Sequence, residues 1–276
     1  MTSPIKTSWG RVLIIAGSDS GGGAGIQADI KTVTALGGYA ATAITAITAQ
    51  NTLGVSAVEP VSPPMIEAQA RAVLSDIGAD IVKTGMLGDA EMVALVARLL
   101  DEAAVPAVID PVMVAKGGAR LLADEALDLV RTLLVPRAAL LTPNAPEAEA
   151  LTNLAVETAD DLRRAGEALL RRGAGAVLMK GGHIVGAHGQ EGRVTDILMT
   201  PYGESVFEGE RIETRHTHGT GCTLASACAT GLAQGMSLEA ATARAWDYVH
   251  RAMLSAPGLG AGHGPLDHGW PLRGTI

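Results

Sequence analysis

Short apolar runs alternate with segments of helical spacing along most of this chain. The first unit is an apolar run from Arg11 to Ala16, a glycine-rich loop over 17–25 and a helix over Ile26 to Leu36. Strand, loop and helix then repeat, so the pattern predicts an α/β fold whose mostly parallel sheet has helices on both faces. Hydrophobic residues make up 47% and aromatic residues only 3%, which indicates buried strands of Ala, Val, Leu and Ile.

Length and charge narrow the class of protein further. The 276 residues contain no linker or internal repeat, which predicts one domain over residues 11–276 after a loose, flexible tail over residues 1–10. A net charge of −8 without a basic cluster argues against a nucleic-acid partner, and no apolar run is long enough for a membrane. Cys222 and Cys228 have neither disulfide nor metal-ligand spacing, so we expect a reducing, cytoplasmic location.

A turn of small residues precedes a long small-residue helix, and segment 217–223 reads Thr-His-Gly-Thr-Gly-Cys-Thr. The N–H groups of Gly219, Thr220, Gly221 and Cys222 would then lie at the positive end of the helix dipole, where a phosphate can come close. A thiol at such a position has a lowered pKa, which would make Cys222 a candidate base. The alternative is a glycine helix start with a buried cysteine, and this stretch alone leaves both open.

Polar residues follow several of the predicted strands. The amide of Gln50 could pair with a heterocycle as donor and acceptor, or the residue could serve only in a turn. Asp110 lies where open α/β sheets bind ligands, unless it caps a helix or turn. Asn144 and Glu147 could both face a bound ion, but a capping box gives the same spacing and is favoured by the local pattern.

The first glycine loop leaves a second class of function open. Its Gly23-x-Gly25-x-x-Ala28 pattern fits the relaxed dinucleotide fingerprint of a dehydrogenase. That fingerprint needs an acidic residue about 20 residues further on, and residues 43–51 contain none. The missing acid argues against a nicotinamide enzyme.

The C-terminal third departs from the simple alternation. Residues 193–213 predict two or three short antiparallel strands broken by turn residues. Residues 255–270 are rich in Gly and Pro and predict an ordered loop. His263 and His268 lie in this loop and are interpreted as surface residues rather than ligands.

Taken in order, these segments resemble the hydroxymethylpyrimidine (phosphate) kinases of thiamine biosynthesis, in the ribokinase-like superfamily. Each motif is weak alone, but the ordered set is highly specific. The resemblance runs from about residue 11 to about residue 268. Its carriers are Ala-Gly-Ser-Asp at 16–19, Gly-Gly-Ala-Gly-Ile-Gln-Ala-Asp at 22–29, Thr-Ala-Gln-Asn-Thr at 48–52, Lys-Thr-Gly-Met at 83–86, Asp-Pro-Val-Met at 110–113, Thr-Pro-Asn-x-x-Glu at 142–147, Met-Lys-Gly-Gly-His at 179–183 and the turn at 217–223.

The resemblance implies a three-layer α/β/α sandwich that uses ATP and Mg²⁺ to phosphorylate 4-amino-5-hydroxymethyl-2-methylpyrimidine (HMP) and then HMP phosphate. It also implies a homodimer. A pyridoxal kinase of the same superfamily and, more distantly, a non-catalytic pyrimidine-binding regulator are the alternatives.

The matching positions imply a role for each candidate residue. The implied substrate contacts are Gly17, Asp29, Gln50, Met86 and Val112, with Asp29 and Gln50 on the aminopyrimidine edge. The implied metal ligands are Asp110 and Glu147, and the nucleotide-binding residues are Asn144, Lys180, Thr217, Gly219 and Gly221. The implied catalytic residues are Gly219, Thr220, Gly221 and Cys222.

Overall fold

A computed structural model describes residues 9–114, 118, 121–182, 184 and 192–273. Residues 1–8 of the predicted tail and His183 lie outside this part of the chain. The described strands are β1 Arg11–Asp19, β2 Tyr39–Asn51, β3 Gly54–Pro60, β4 Ile81–Thr84, β5 Ala107–Ile109, β6 Leu140–Leu141, β7 Val177–Met179, β8 Arg193–Thr200 and β9 Gly203–Glu210. They form one sheet in the order β3-β2-β1-β4-β5-β6-β7-β8-β9.

The sheet is parallel in its centre and antiparallel at both edges. Strands β2, β1, β4, β5, β6 and β7 pair in parallel, whereas β3 is antiparallel to β2 and β8 and β9 are antiparallel additions beside β7. The mostly parallel sheet and the antiparallel strands within 193–213 are therefore confirmed. Strand β3 was not predicted, because most of its residues are exposed and give no alternation of buried and polar positions.

Helices cover both faces of the sheet. They are α1 Gly25–Ala35, α2 Pro63–Asp76, α3 Ala90–Ala103, α4 Asp124–Leu129, α5 Ala145–Thr152, α6 Ala159–Arg171, α7 Thr220–Ala233 and α8 Leu238–Leu254. Successive strand side chains point to opposite faces. Leu13 and Ile15 pack into a core with α2 to α6, while Val12 and Ile14 pack with α1, α7 and α8. The predicted three-layer α/β/α sandwich is thus confirmed.

The topology brings the candidate residues to one edge of the sheet. Strands β1, β2, β4, β5, β6 and β7 run in the same direction, so their carboxyl ends meet there. Helix α7 packs on β1, β4 and β5 on one face of the sheet. Across the described residues, no helix combines the length and apolar character that crossing a membrane requires.

Candidate active site

A cleft of about 1170 Å³ lies at this edge of the sheet. Every site residue expected from the sequence lines it except Asp29. The expected residues that line the cleft are Gly17, Gln50, Met86, Asp110, Val112, Asn144, Glu147, Lys180, Thr217, Gly219, Thr220, Gly221 and Cys222. Residues from distant parts of the sequence therefore share one volume.

The segment 217–223, which we call the anion turn, leads tightly into α7. Gly219 is the residue before the helix and has φ 87°, in the left-handed region. Its carbonyl accepts the N–H of Thr223 at 2.9 Å. A Cβ at Gly219 would overlap the carbonyl of Gly23, so only glycine lets the turn pack against the first glycine loop. The first N–H groups of a helix have no intrahelical acceptor, and residues 220–222 line the cleft, so the turn can bind an anion.

Two carboxylates and one ammonium group form a second feature, the acid–lysine cluster of Asp110, Glu147 and Lys180. Lys180 Nζ lies 3.1 Å from Asp110 Oδ1 and 3.8 Å from Glu147 Oε2. The Thr142 hydroxyl donates to the same Asp110 oxygen at 3.0 Å. Burial raises the pKa of Glu147 to about 7, although Lys180 acts in the opposite direction. Two carboxyl groups thus face one ammonium group in the cleft, and Glu147 takes up a proton more readily than an exposed glutamate does.

The spacing of Asn144 and Glu147 has the structural role that the local pattern favoured. The Asn144 side chain accepts the N–H of Glu147 at 2.9 Å, and the Glu147 carboxylate accepts the N–H of Asn144 at 2.8 Å. The capping box is confirmed. Because both residues also line the cleft, the cap itself holds the Glu147 carboxylate beside Lys180.

The carboxylates of the acid–lysine cluster are the candidate ligands for Mg²⁺. Among the residues described, no three His, Cys, Asp or Glu side chains form a metal-binding group. Mg²⁺ commonly keeps several waters and is held by one or two carboxylates together with substrate phosphates. Asp110 and Glu147 therefore fit an ion that is shared with a nucleotide, with few ligands from the protein.

The expected lowering of the Cys222 pKa is wrong. Burial raises the pKa of this thiol to about 12, and the nearby Lys83 only partly opposes the change. The thiol lies in the first turn of α7, only part of it is exposed, and the N–H of Gly25 donates to it. At neutral pH Cys222 is thus a protonated thiol in this site.

The expected contact between Asp29 and the substrate is also wrong. Asp29 is fully buried on α1 and does not line the cleft. Its Oδ1 lies 2.9 Å from the ammonium of Lys83, itself fully buried, and accepts the Ser226 hydroxyl at 2.6 Å. The Asp29 carboxylate raises the pKa of Lys83 against the opposing effect of burial. Asp29 therefore joins α1 to β4 and α7 inside the protein.

Of the remaining expected substrate contacts, all of which line the cleft, Gly17, Met86 and Gln50 lie at the first glycine loop. The methyl group of Met86 packs so closely on Gly17 that any Cβ there would overlap it. The backbone of Gln50 is held by Ser20, whose hydroxyl donates to its carbonyl and accepts its N–H, both at 2.8 Å. Among the described contacts the Gln50 amide approaches Thr48 and His218 at 3.3 Å each and makes no bond to its own backbone, which leaves its second N–H and its second lone pair for a ligand in the cleft.

One pair of residues that the sequence analysis did not assign joins the two loops. His218 Nε2 lies 2.8 Å from Asp19 Oδ2. Asp19 also accepts the N–H groups of Gly21, Gly23 and Ala24, at 2.8, 3.1 and 2.8 Å. The pair thus fixes the anion turn against the first glycine loop. Both residues stand inside quoted motifs, but they are 199 positions apart, and no local pattern relates them.

The prediction that both C-terminal histidines lie on the surface holds for His263 and is wrong for His268. His263 is exposed, as expected, although it borders the cleft. His268 is buried, its Nε2 lies 3.0 Å from the Thr223 hydroxyl, and burial lowers its pKa to about 4. Its carbonyl accepts the Tyr248 hydroxyl at 2.6 Å. His268 therefore holds the first turn of α7 through Thr223. The Gly- and Pro-rich sequence around His268 gives no local pattern from which this role could be predicted.

One face of α8 also borders the cleft and was not predicted. Trp246, Val249, His250 and Met253 line it. Their spacing of three, four and seven residues marks one helix face, and this is the signal that could have identified them.

Comparison with known proteins places these features in a family. The family model described as phosphomethylpyrimidine kinase matches residues 19–267. The chain belongs to this family. A hydroxymethylpyrimidine/phosphomethylpyrimidine kinase from Streptomyces coelicolor is 49% identical over 261 residues, which cover 95% of each chain. Membership of the phosphomethylpyrimidine kinase family makes this chain an enzyme that transfers a phosphoryl group, and it counts against the dehydrogenase alternative.

Solved structures agree with the family assignment. A phosphomethylpyrimidine kinase from Clostridium difficile matches with a TM-score of 0.78 and 40% identity, over 88% of this chain and 99% of that one. A pyridoxal kinase from Bacillus subtilis, solved as an ADP complex, matches with a TM-score of 0.87 and 35% identity, over 96% of this chain and 98% of that one. The expected ribokinase-like fold is confirmed.

Proposed function

We propose that this kinase transfers the γ-phosphoryl group of ATP to HMP and then to HMP phosphate, as a step of thiamine biosynthesis. One observation carries the proposal: a single cleft contains both the Gln50 amide and the anion turn. The amide can pair with an aminopyrimidine edge, and the turn can hold a phosphoryl group. The double name of the Streptomyces relative supports both steps.

The chemistry follows from the groups that the cleft provides. The hydroxymethyl oxygen of HMP attacks the γ-phosphorus in line while the bond from that phosphorus to the β-phosphate oxygen breaks and ADP leaves; the hydroxyl proton passes to an oxygen of the transferring phosphoryl group. The N–H groups of residues 219–222 together with Lys180 stabilise charge on that group. Asp110 and Glu147 would hold Mg²⁺, which neutralises nucleotide phosphate charge when bound. The transition state is loose, so positioning and charge stabilisation outweigh base catalysis.

Cys222 has a positioning part in this scheme. Its pKa of about 12 leaves a thiol that can orient the hydroxymethyl group but is not a ready base. In the second transfer the nucleophile is already a phosphate anion. We therefore expect Cys222→Ala to slow the first transfer more than the second, and equal losses in both would contradict this division.

The deciding experiment is a mass-resolved assay with ATP, Mg²⁺ and HMP. The expected result is HMP phosphate followed by HMP diphosphate. Asp110→Asn, which removes one carboxylate of the acid–lysine cluster without changing its shape, is the matched control against a contaminating kinase. Product formation at the same rate by that variant would refute the assignment of the site.

A pyridoxal kinase is the second candidate, because the Bacillus pyridoxal kinase has the same fold over nearly the whole chain. A parallel reaction with pyridoxal tests it. Phosphorylated pyridoxal alone would preserve the chemistry and overturn the pyrimidine substrate. No transfer to either compound would favour a pyrimidine-binding regulator. The homodimer stays a prediction, which light scattering after size-exclusion chromatography can test.

A further inference from the structure

The Gln50 carboxamide lies between two polar side chains that are not themselves expected to touch a substrate. Its Oε1 stands 3.3 Å from the Thr48 hydroxyl oxygen, and its Nε2 stands 3.3 Å from His218 Nε2. The two ends of a carboxamide have the same shape, so the hydrogen-bond partners decide which end carries the oxygen. Both partners can be assigned from their other contacts.

The Thr48 hydroxyl can only accept a hydrogen bond from Gln50. A hydroxyl group has one hydrogen, and Thr48 Oγ1 lies 2.9 Å from the carbonyl oxygen of Ser18. A carbonyl can only accept, so the hydroxyl hydrogen points to Ser18. The lone pairs of Thr48 then face the amide, and the end of Gln50 beside them must be a donor.

His218 Nε2 cannot accept a hydrogen bond from Gln50. Its Nε2 lies 2.8 Å from Asp19 Oδ2, and Asp19 accepts three backbone N–H groups of the first glycine loop. Asp19 is therefore an acceptor throughout, and hydrogen bonds from His218 and the loop hold its pKa below the usual range despite burial. His218 Nε2 must carry a hydrogen whether the ring is neutral or charged. That single hydrogen is directed at Asp19, and a protonated ring nitrogen has no lone pair for an N–H donor. The end of Gln50 beside it is therefore better placed as the oxygen, which can share the hydrogen at 3.3 Å.

We propose that Thr48, His218 and Asp19, here called the amide lock, hold the Gln50 carboxamide in the orientation in which its nitrogen and oxygen exchange the positions assigned to Nε2 and Oε1. Its nitrogen then faces Thr48 and its oxygen faces His218. The opposite orientation would set acceptor against acceptor at Thr48 and donor against donor at His218. Two contacts from separate loops thus favour the same orientation.

The amide lock determines which ring edge the cleft accepts, an inference that rests on the proposed function. Gln50 presents a donor on the Thr48 side and an acceptor on the His218 side. A 4-aminopyrimidine matches when its ring nitrogen lies on the Thr48 side and its amino group on the His218 side. The 4-oxo analogue, whose ring nitrogen carries hydrogen, has the reverse pattern and would require the amide to turn against its lock. Thr48, His218 and Asp19 are positioning residues for this specificity.

The orientation can be measured without any substrate. NOE spectra of protein labelled with ¹⁵N at glutamine side chains report which protons lie near the Gln50 NH₂ group, and a Gln50→Glu variant identifies its signals. We expect contacts to Thr48 side-chain protons. Contacts to the His218 ring protons in their place would overturn the proposal.

The consequence for specificity is measured with two matched variants. Thr48→Val removes the acceptor beside Gln50, whereas Thr45→Val removes a hydroxyl on the same strand that donates to the Met86 carbonyl at 2.7 Å, away from the amide. The readout is the ratio of kcat/KM for HMP to kcat/KM for its 4-oxo analogue. We expect the ratio to fall about tenfold in Thr48→Val, the equivalent of one hydrogen bond, and to stay unchanged in Thr45→Val.

Equal ratios in the parent and Thr48→Val would overturn the lock as the source of specificity. Absence of HMP phosphorylation by the parent would refute the proposed function, and the NOE contacts would still decide the orientation of the amide.

Discussion

Gly221→Ala tests whether the anion turn meets the acid–lysine cluster at the transferring group. An added Cβ would lie 3.3 Å from Lys180 Nζ and 3.7 Å from Asp110 Oδ2. Apart from the adjoining backbone of α7 itself, no backbone atom of the described residues is that close, and Gly221 is not among the glycines with positive φ. The methyl group therefore fits the fold, but it occupies the space between the turn and the cluster.

Stability and activity should move in opposite directions in this variant. Alanine in a helix is more stable than glycine by about 0.5–1 kcal/mol, and this is an upper bound for a first-turn position. Loss of one preorganised donor to a transition-state oxyanion costs about 10²–10³ in kcat. A methyl that displaces the transferring group from residues 220–222 should cost a similar factor.

The assay combines mass-resolved turnover with thermal unfolding. Gly182→Ala is the matched control, because Gly182 borders the same cleft and a Cβ there meets no atom of the described residues within 4 Å. We expect that control to keep most of its activity. A folded Gly221→Ala enzyme whose kcat lies within about threefold of the parent would refute this account of the cleft, since the predicted loss is far larger.

Three further changes test the other electrostatic assignments. Cys222→Ser should keep most of the transfer activity, and its pH–rate profile should match that of the parent because no thiolate takes part. A loss above about 100-fold would show that the thiolate is needed. Lys83→Met should lower the free energy of unfolding by about 3–5 kcal/mol, because Asp29 is left buried and unpaired, and Asp29→Asn in the same chain should restore much of it; denaturant titration measures both. Burial raises the pKa of Asp196 to about 6. The folded protein therefore binds the Asp196 proton more tightly than the unfolded chain does. The stability that this proton contributes is present below about pH 4 and is lost as the pH rises through about 6. The unfolding free energy of Asp196→Asn relative to the parent should then rise by about 3 kcal/mol between pH 4 and pH 8, and a constant difference would contradict the shift.

Local patterns were sufficient for the residues that follow parallel strands. Asp110, Lys180 and Gln50 each follow a short apolar run, and parallel strands end at one edge, so proximity follows from fold class alone. The capping box of α5 was equally readable, since its spacing is local. What depends on one segment and its neighbours in sequence could be predicted.

The predicted contact between Asp29 and the substrate was wrong because the prediction ignored which face of its helix Asp29 occupies. Ile26, Asp29 and Val33 are spaced three and four residues apart, and all three are buried. That spacing places Asp29 on the core side of α1, and Lys83 supplies the opposite charge within a wholly buried strand. A carboxylate and an ammonium at two core-facing positions signal a buried ion pair. Helical spacing could therefore have excluded Asp29 from the substrate edge, although it could not name its partner.

Cys222 shows why the local pattern gave the wrong sign of a pKa shift. A charge at a helix N-terminus gains about 0.3–1 kcal/mol, which is less than one pKa unit at about 1.36 kcal/mol per unit. Burial and nearby carboxylates raise the pKa of this thiol from 9.0 to about 12, which corresponds to about 4 kcal/mol in the opposite direction. The groups responsible, among them Asp29 and Asp110, belong to other segments. Since the larger effect comes from packing, the helix start predicts where an anion binds but not whether the thiol beside it ionises.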